Sequence, residues 1–285
     1  MVAESASSTD LASSSRLSAG RGWAFALGGA VLALIVIATA LVAVVSPPAE
    51  AQSAPRVALI SREANPLPGD DQAYLDRLRE TGWNVTVIDD DRIRDNGKNV
   101  VSGFDLVLVS STVFADRIRW RLRTAPEPII VAEHQLFDNF RFTTSSSRVG
   151  LTSSSRKIDV IAPNSPLAAG FSGETFVSIT AKPQNYGRVG GDAHVVAVAK
   201  DNNDQAVLFS YDEGDALATG DLATARRVGI HMNQVLPKLT NPDGWRFFDA
   251  AVAWASGMAP PSNEAPVFPP IAPSSGAHLL SLIHI

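Results

Sequence analysis

Residues Trp23 to Val45 form an apolar run without one charged side chain, and such a segment can fold in very few ways. In lipid every backbone N–H and C=O must find its partner within the segment, which leaves a helix. At ~1.5 Å per residue the run spans roughly 35 Å, enough to cross a hydrocarbon core of ~30 Å. Two outcomes stay open. The run exceeds the usual signal-peptide core, which favours a retained anchor. Ala49-Glu50-Ala51, just after the helix-ending Pro47-Pro48, fits a small-x-small cleavage site, which favours removal near Ala51. A buried core helix is disfavoured by the Ser/Ala-rich flanks. Arg16 and Arg21 precede the run, and positive charge holds that side in the cytoplasm. The chain beyond is therefore expected outside, anchored to the cell membrane or secreted.

The domain plan follows from composition. Residues 1–22 are Ser/Ala-rich and read as a disordered cytoplasmic n-region, 23–46 as the transmembrane or signal helix, and 47–55 as a linker. Residues 56–257 suffice for one α/β domain. Residues 258–279, rich in Pro, Ser and Ala, read as an interdomain linker. The six residues Leu280 to Ile285 match the translation of a sequencing adaptor and read as an artefact, so further C-terminal domains are expected past Leu279. A net charge of −5 gives no basic footprint for nucleic acid. The chain has no cysteine, which excludes thiol nucleophiles, disulfides and thiolate metal sites.

Within the domain, short apolar runs alternate with polar amphipathic stretches. Arg56–Ser61, Asn84–Ile88, Asp105–Val109 and Pro128–Ala132 read as buried strands. Asp70 or Asp71 is expected to cap a helix running to Thr81, with Gly82 as its stop. Val113–Arg123 reads as a basic amphipathic helix. This alternation implies right-handed βαβ units and a mainly parallel sheet. The second half is richer in strand: Lys157–Ile161, Phe176–Thr180, His194–Ala199, Ala206–Tyr211 and Arg226–Ile230, with a turn at Asn202-Asn203. Asp243–Ala255 reads as a closing helix, its Trp245, Phe248, Ala251, Val252 and Ala255 at core spacing.

Several phrases in this order carry a family resemblance: Val57-Ala-Leu-Ile60, Gly82-Trp-Asn-Val-Thr-Val-Ile-Asp89, Asn164-Ser-Pro-Leu-Ala-Ala-Gly170, Ala206–Tyr211, Arg226–Gly229 and Gly244–Trp254. Together they resemble the class I glutamine amidotransferase-like superfamily, nearest its trehalose-utilisation (ThuA-like) branch. The resemblance implies a flavodoxin-like three-layer α/β/α sandwich. It does not extend to the catalytic machinery. Where such enzymes carry a Cys on a glycine-flanked elbow, this chain has Val131-Ala-Glu-His-Gln135. Where they carry a His-Pro-Glu phrase, it has His231-Met-Asn233. A His without nucleophile or orienting acid cannot run a triad, so glutamine hydrolysis is not expected.

Ligands of open α/β sheets bind outside the carboxyl ends of the strands. Those ends hold Arg62, Asp89 to Asp91, Ser110 and Ser111, Glu133 and His134, and His231. Glu133 and His134 could act as general base or metal ligand, but neighbours on a strand end point to opposite sides and need not converge. His231 sits at the family's base position and is otherwise a strand-end His bonded to a loop. Asp89-Asp90-Asp91 could hold a hard cation but lacks a spaced ligand loop, and reads first as a turn and helix cap. Ser110 and Ser111 read first as caps for the next helix. Gly187, Gly190 and Gly191 precede no helix, so no nucleotide site is expected. Arg117, Arg119, Arg121 and Arg123 read as a solvated face. No cofactor or metal is expected. The leading expectation is an exported, non-catalytic binding or structural module contacting carbohydrate or a cell-surface component. The alternative is a carbohydrate-active enzyme using His231 with Glu133 and His134. A sensor joining the outer domain to the cytoplasmic tail is a third possibility, which cleavage at Ala51 removes.

Overall fold

The computed structural model describes residues 54–258. The apolar run, its linker and the C-terminal segment lie outside the described residues. Among the described residues no helix is long and apolar enough to cross a membrane.

In chain order the elements are β1 Arg56–Ser61, α1 Gly69–Glu80, β2 Asn84–Asp89, α2 Asp90–Asn96, β3 Leu106–Val109, α3 Ala115–Ile118, β4 Ile129–Val131, β5 Val149–Leu151, β6 Lys157–Val160, β7 Gly173–Phe176, β8 Asn185–Gly187, β9 His194–Ala199, β10 Asn202–Tyr211, β11 Arg227–Ile230, α4 Leu236–Leu239 and α5 Pro242–Ser256. One sheet runs β2-β1-β3-β4-β11-β10-β9-β6-β7, with β5 and β8 attached beside β10. The five strands from β2 to β11 pair in parallel. From β11 onward every pairing is antiparallel. The expected mainly parallel sheet is thus a mixed α/β sheet, parallel over one half. The early parallel strands are joined by helical crossovers, whereas β9 and β10 are joined by a two-residue turn that only antiparallel neighbours can use.

Alternation along the strands divides the core in two. Val57 and Leu59 of β1 join Leu106 and Leu108 of β3 on one face, against Tyr74, Leu75 and Leu78 of α1 and Phe247, Phe248 and Ala251 of α5. Ala58, Ile60, Val107 and Val109 face the opposite way, against Ile93 of α2, Ile118 of α3 and Phe137, Phe140 and Phe142. Complete burial on both faces explains why these strands read as continuous apolar runs. Asn241 caps α5, accepting from Gly244 N–H at 2.8 Å, and Gly257 closes it with φ 71°.

The sequence misplaces several elements. Ser178, inside the expected strand Phe176–Thr180, makes one isolated bridge to Thr240, and β7 lies earlier. The turn before β10 pivots at Asp201, with φ 64°, so Asn202 and Asn203 already belong to the strand. The expected helix Val113–Arg123 stops at Ile118, because Arg119 takes φ 44°. The chain then continues in tight turns whose N–H groups reach back three residues, Arg121 to Ile118 and Arg123 to Trp120. The expected cap at Asp70 or Asp71 is also absent. Both lie inside α1, and the cap position, Pro68, makes no side-chain bond.

The joint between the halves of the sheet is tight. Phe209 of β10 stands opposite Gly229 of β11, and a Cβ on Gly229 would lie 2.1 Å from the Phe209 ring. That ring meets Phe137 edge-on at 5.2 Å and Phe142 at 5.5 Å, so it has nowhere to retreat. Gly229→Ala is therefore expected to cost about 1–3 kcal/mol through overpacking, measured by urea denaturation. Adding Phe209→Leu should restore part of the loss. An unchanged midpoint in Gly229→Ala contradicts this packing.

Candidate functional site

The carboxyl ends of the parallel strands open into a cleft of about 990 Å³. Arg62 after β1, Ser111 to Phe114 after β3, Glu133 to Gln135 after β4, and Asn233 and Gln234 after β11 form its walls, with Arg119 and Trp120 beyond α3. Two of the lining residues are exposed aromatics, Phe114 at 48% and Trp120 at 53%. The guanidinium groups of Arg119 and Arg121 lie 5.8 and 5.5 Å from the Trp120 ring.

Two buried acids hold one wall in place. Asp71 reaches from α1 to accept hydrogen bonds from Ser61, Ser110 and Thr112. Burial raises its pKa above the ordinary value, and the three hydroxyl donors partly offset that rise. Ser110 is thus spent on Asp71 and on accepting from Thr112 N–H, not on capping a helix. Asp90 holds the far end of the same loop, accepting from Phe114 N–H and from Arg117, each at 2.7 Å. Asp89 caps α2, accepting from Asp91 N–H at 2.9 Å. Asp91 pairs with Arg94 and Arg117. The three carboxylates approach one another within 4.8 Å, yet none lines the cleft and each has protein partners.

Glu133 and His134 do converge. Glu133 Oε1 lies 3.3 Å from His134 Nδ1, because the chain leaves β4 directly into a short 3₁₀ turn over His134–Leu136 and no longer alternates. Gln135 N–H donates to Glu133 Oε1 at 2.8 Å. Burial pushes the Glu133 carboxyl up to about 7, with only that backbone donor opposing. Burial also lowers the His134 pKa, opposed by its bond to Asn185. Asn185, on β8, is a residue the sequence did not single out. Its Oδ1 meets His134 Nδ1 at 3.1 Å, its Nδ2 donates to Ala132 O at 2.5 Å, and its backbone N–H donates to His231 O at 3.0 Å.

His231, like Asp89 to Asp91, is a sequence candidate that the structure does not bring to the cleft. It is 1% exposed, and its Nδ1 lacks a hydrogen-bond partner among the described residues. Burial alone pushes its pKa down to about 4. Of the other candidates, Arg62 and Ser111 line the cleft and Ser110 lies beneath it. Ser111 Oγ is buried without a protein partner. The wall contributed by Phe114 and Trp120 escaped the sequence reading because it was assigned to a regular helix.

No protein-family model matches the chain, and no curated protein matches it. Among solved structures, a thua-like protein from Bacteroides uniformis aligns at a TM-score of 0.41 and 8% identity, over 75% of this chain and 99% of its own. A likeness of that size assigns the chain to no family.

Glu133 and His231 titrate in one pH window with opposite signs. The folded state holds the Glu133 proton to about 7, against an ordinary 4.5. Its contribution is complete below 4.5 and lost as pH rises to about 7. His231 moves from 6.5 to about 4, so its contribution is complete above 6.5 and lost as pH falls to about 4. Either displacement corresponds to at most ~3 kcal/mol. In urea denaturation, the stability of Glu133→Gln relative to the unsubstituted chain should climb by up to ~3 kcal/mol from pH 4.5 to 7. For His231→Leu the same difference should fall by a similar amount from pH 4 to 6.5. Parallel, pH-independent offsets would show that neither group titrates in this way.

Proposed function

We propose that residues 56–257 form a non-catalytic carbohydrate-binding module of an exported bacterial protein. Its scaffold is read as a flavodoxin-like, three-layer relative of the amidotransferase-like superfamily's ThuA-like branch. Support for the scaffold comes from the strand order β2-β1-β3-β4-β11, which is the flavodoxin arrangement, and from helices packed on both faces of those strands. Support for export is the uncharged run Trp23 to Val45 behind Arg16 and Arg21.

The observation that carries the binding reading is the lining of the cleft. An exposed Trp120 stands beside Gln135, Asn139, Asn233 and Gln234 in a wide, open groove. Sugar rings present apolar C–H faces that pack on indole, and hydroxyls that pair with side-chain amides. The missing thiol removes the amidotransferase nucleophile, and burial of His231 takes away the base at the family's position. Titrating the full chain against neutral and acidic glycan arrays, followed by calorimetry on the best ligand, tests this. Trp120→Ala should weaken binding about tenfold or more, or ~1.4 kcal/mol. Absence of binding to every glycan, or full affinity in Trp120→Ala, rejects it.

A second reading has one observation in its favour. Glu133, held near neutrality and 3.3 Å from His134 Nδ1, is placed to exchange a proton with a bound glycan as a carbohydrate-active enzyme would. Glycan turnover by the full chain that disappears in Glu133→Gln while binding persists would select this reading. No turnover across pH 5–8 would dismiss it.

A further inference from the structure

We propose that Asn185 is a positioning residue that locks His134 in its Nδ1-protonated form, so that Nε2 faces the cleft as an obligate acceptor for a ligand hydroxyl. The ligand part rests on the glycan reading above; the proton placement does not.

The argument starts at Ala132. Its carbonyl oxygen can only accept, and an Asn185 amide atom lies 2.5 Å from it. That atom must be the NH₂ group, since the reverse orientation would set two acceptors against each other. The orientation leaves Oδ1 facing His134 Nδ1 at 3.1 Å. Asn185 is held in place, its side chain fully buried and its backbone fixed by the N–H bond to His231 O and by pairing with β5. The other near neighbour of Nδ1 is Glu133 Oε1 at 3.3 Å, which already accepts from Gln135 N–H. Above pH 7, where the Glu133 carboxyl is mostly ionised, every partner offered to Nδ1 is thus an acceptor, and Nδ1 must carry the proton. A neutral imidazole has only one such proton, so Nε2 keeps a lone pair.

That lone pair is free. No protein group bonds Nε2 among the described residues, Nε2 is not one of the sealed, unpartnered atoms of the interior, and His134 lines the cleft. Burial of the ring works against a second proton. A bare Nε2 attracts O–H and N–H donors and repels a carboxylate or phosphate oxygen. What is selected at this point in the cleft is therefore an O–H or N–H donor, which on the glycan reading is a sugar hydroxyl. An unrestrained imidazole carries its proton mainly on Nε2, so the arrangement has a spectroscopic signature that mere structural support would not give.

The experiment labels the five histidines of the full chain with ¹⁵N and reads long-range ¹H–¹⁵N correlations at pH 7.5, with His134→Gln identifying the His134 signals. The expected result is a pyrrole-type Nδ1 and a pyridine-type Nε2. In Asn185→Leu the nearer of the two acceptors is gone, and the population should shift towards protonated Nε2. A pyrrole-type Nε2 in the unsubstituted chain overturns the proposal, and that measurement decides even if Asn185→Leu does not fold. Trp120→Ala should lose glycan while the His134 signals stay in place, which separates failure of the glycan reading from failure of the lock. With a bound neutral glycan, an Nε2 resonance that does not move overturns the hydroxyl contact.

Discussion

The cleft exists because two carboxylates were taken out of water to hold one loop. Asp71 ties the ends of β1 and β3 to α1 through the hydroxyls of Ser61, Ser110 and Thr112, and Asp90 fixes the loop after β3 a few residues later through Phe114 N–H and Arg117. Burying a carboxylate costs several kcal/mol unless donors surround it. Here Ser110, Thr112 and Phe114 donate from a loop that would otherwise have little reason to keep its shape, while Ser61 ends β1 and Arg117 lies in α3. The loop is as rigid as the two acids are satisfied, and Phe114 and the start of α3 inherit that rigidity.

The parallel half of the sheet was legible because its inner strands are buried on both faces and flanked by turn residues, while the edge strand β2 keeps a run of β-branched residues. Val57 to Ile60 and Leu106 to Val109 leave no other interpretation. The antiparallel half was less so. β5 and β8 have three residues each, too few to show a period, and β7 begins with Gly173 and Glu174, which carry little strand character. Arg119 defeated the reading of 113–123 for a different reason. A non-glycine residue with φ 44° is a tertiary outcome, imposed by the burial of Ile118 and Leu122 on either side, and no local propensity announces it.

The site was half legible. Strand ends identified Glu133, His134, Arg62 and Ser111 because topology alone places such residues around a common opening. The same rule over-reached at His231, since a residue at a strand end can turn into the core as readily as into the cleft. Asn185 could not have been found, because its role depends on β8 docking against β10, a contact between segments with no sequence signature. The polar network around His134 is thus a product of the half of the fold that was hardest to read.

The opposed titrations of Glu133 and His231 carry a consequence for the domain's response to acid. Each buried group alone gives the domain a preferred side of neutrality, one acidic and one alkaline, and together they leave it with neither. Exchanging one for an inert residue upsets that balance, and exchanging both restores it. The slope that either single exchange returns to the domain has the sign of the buried group that remains.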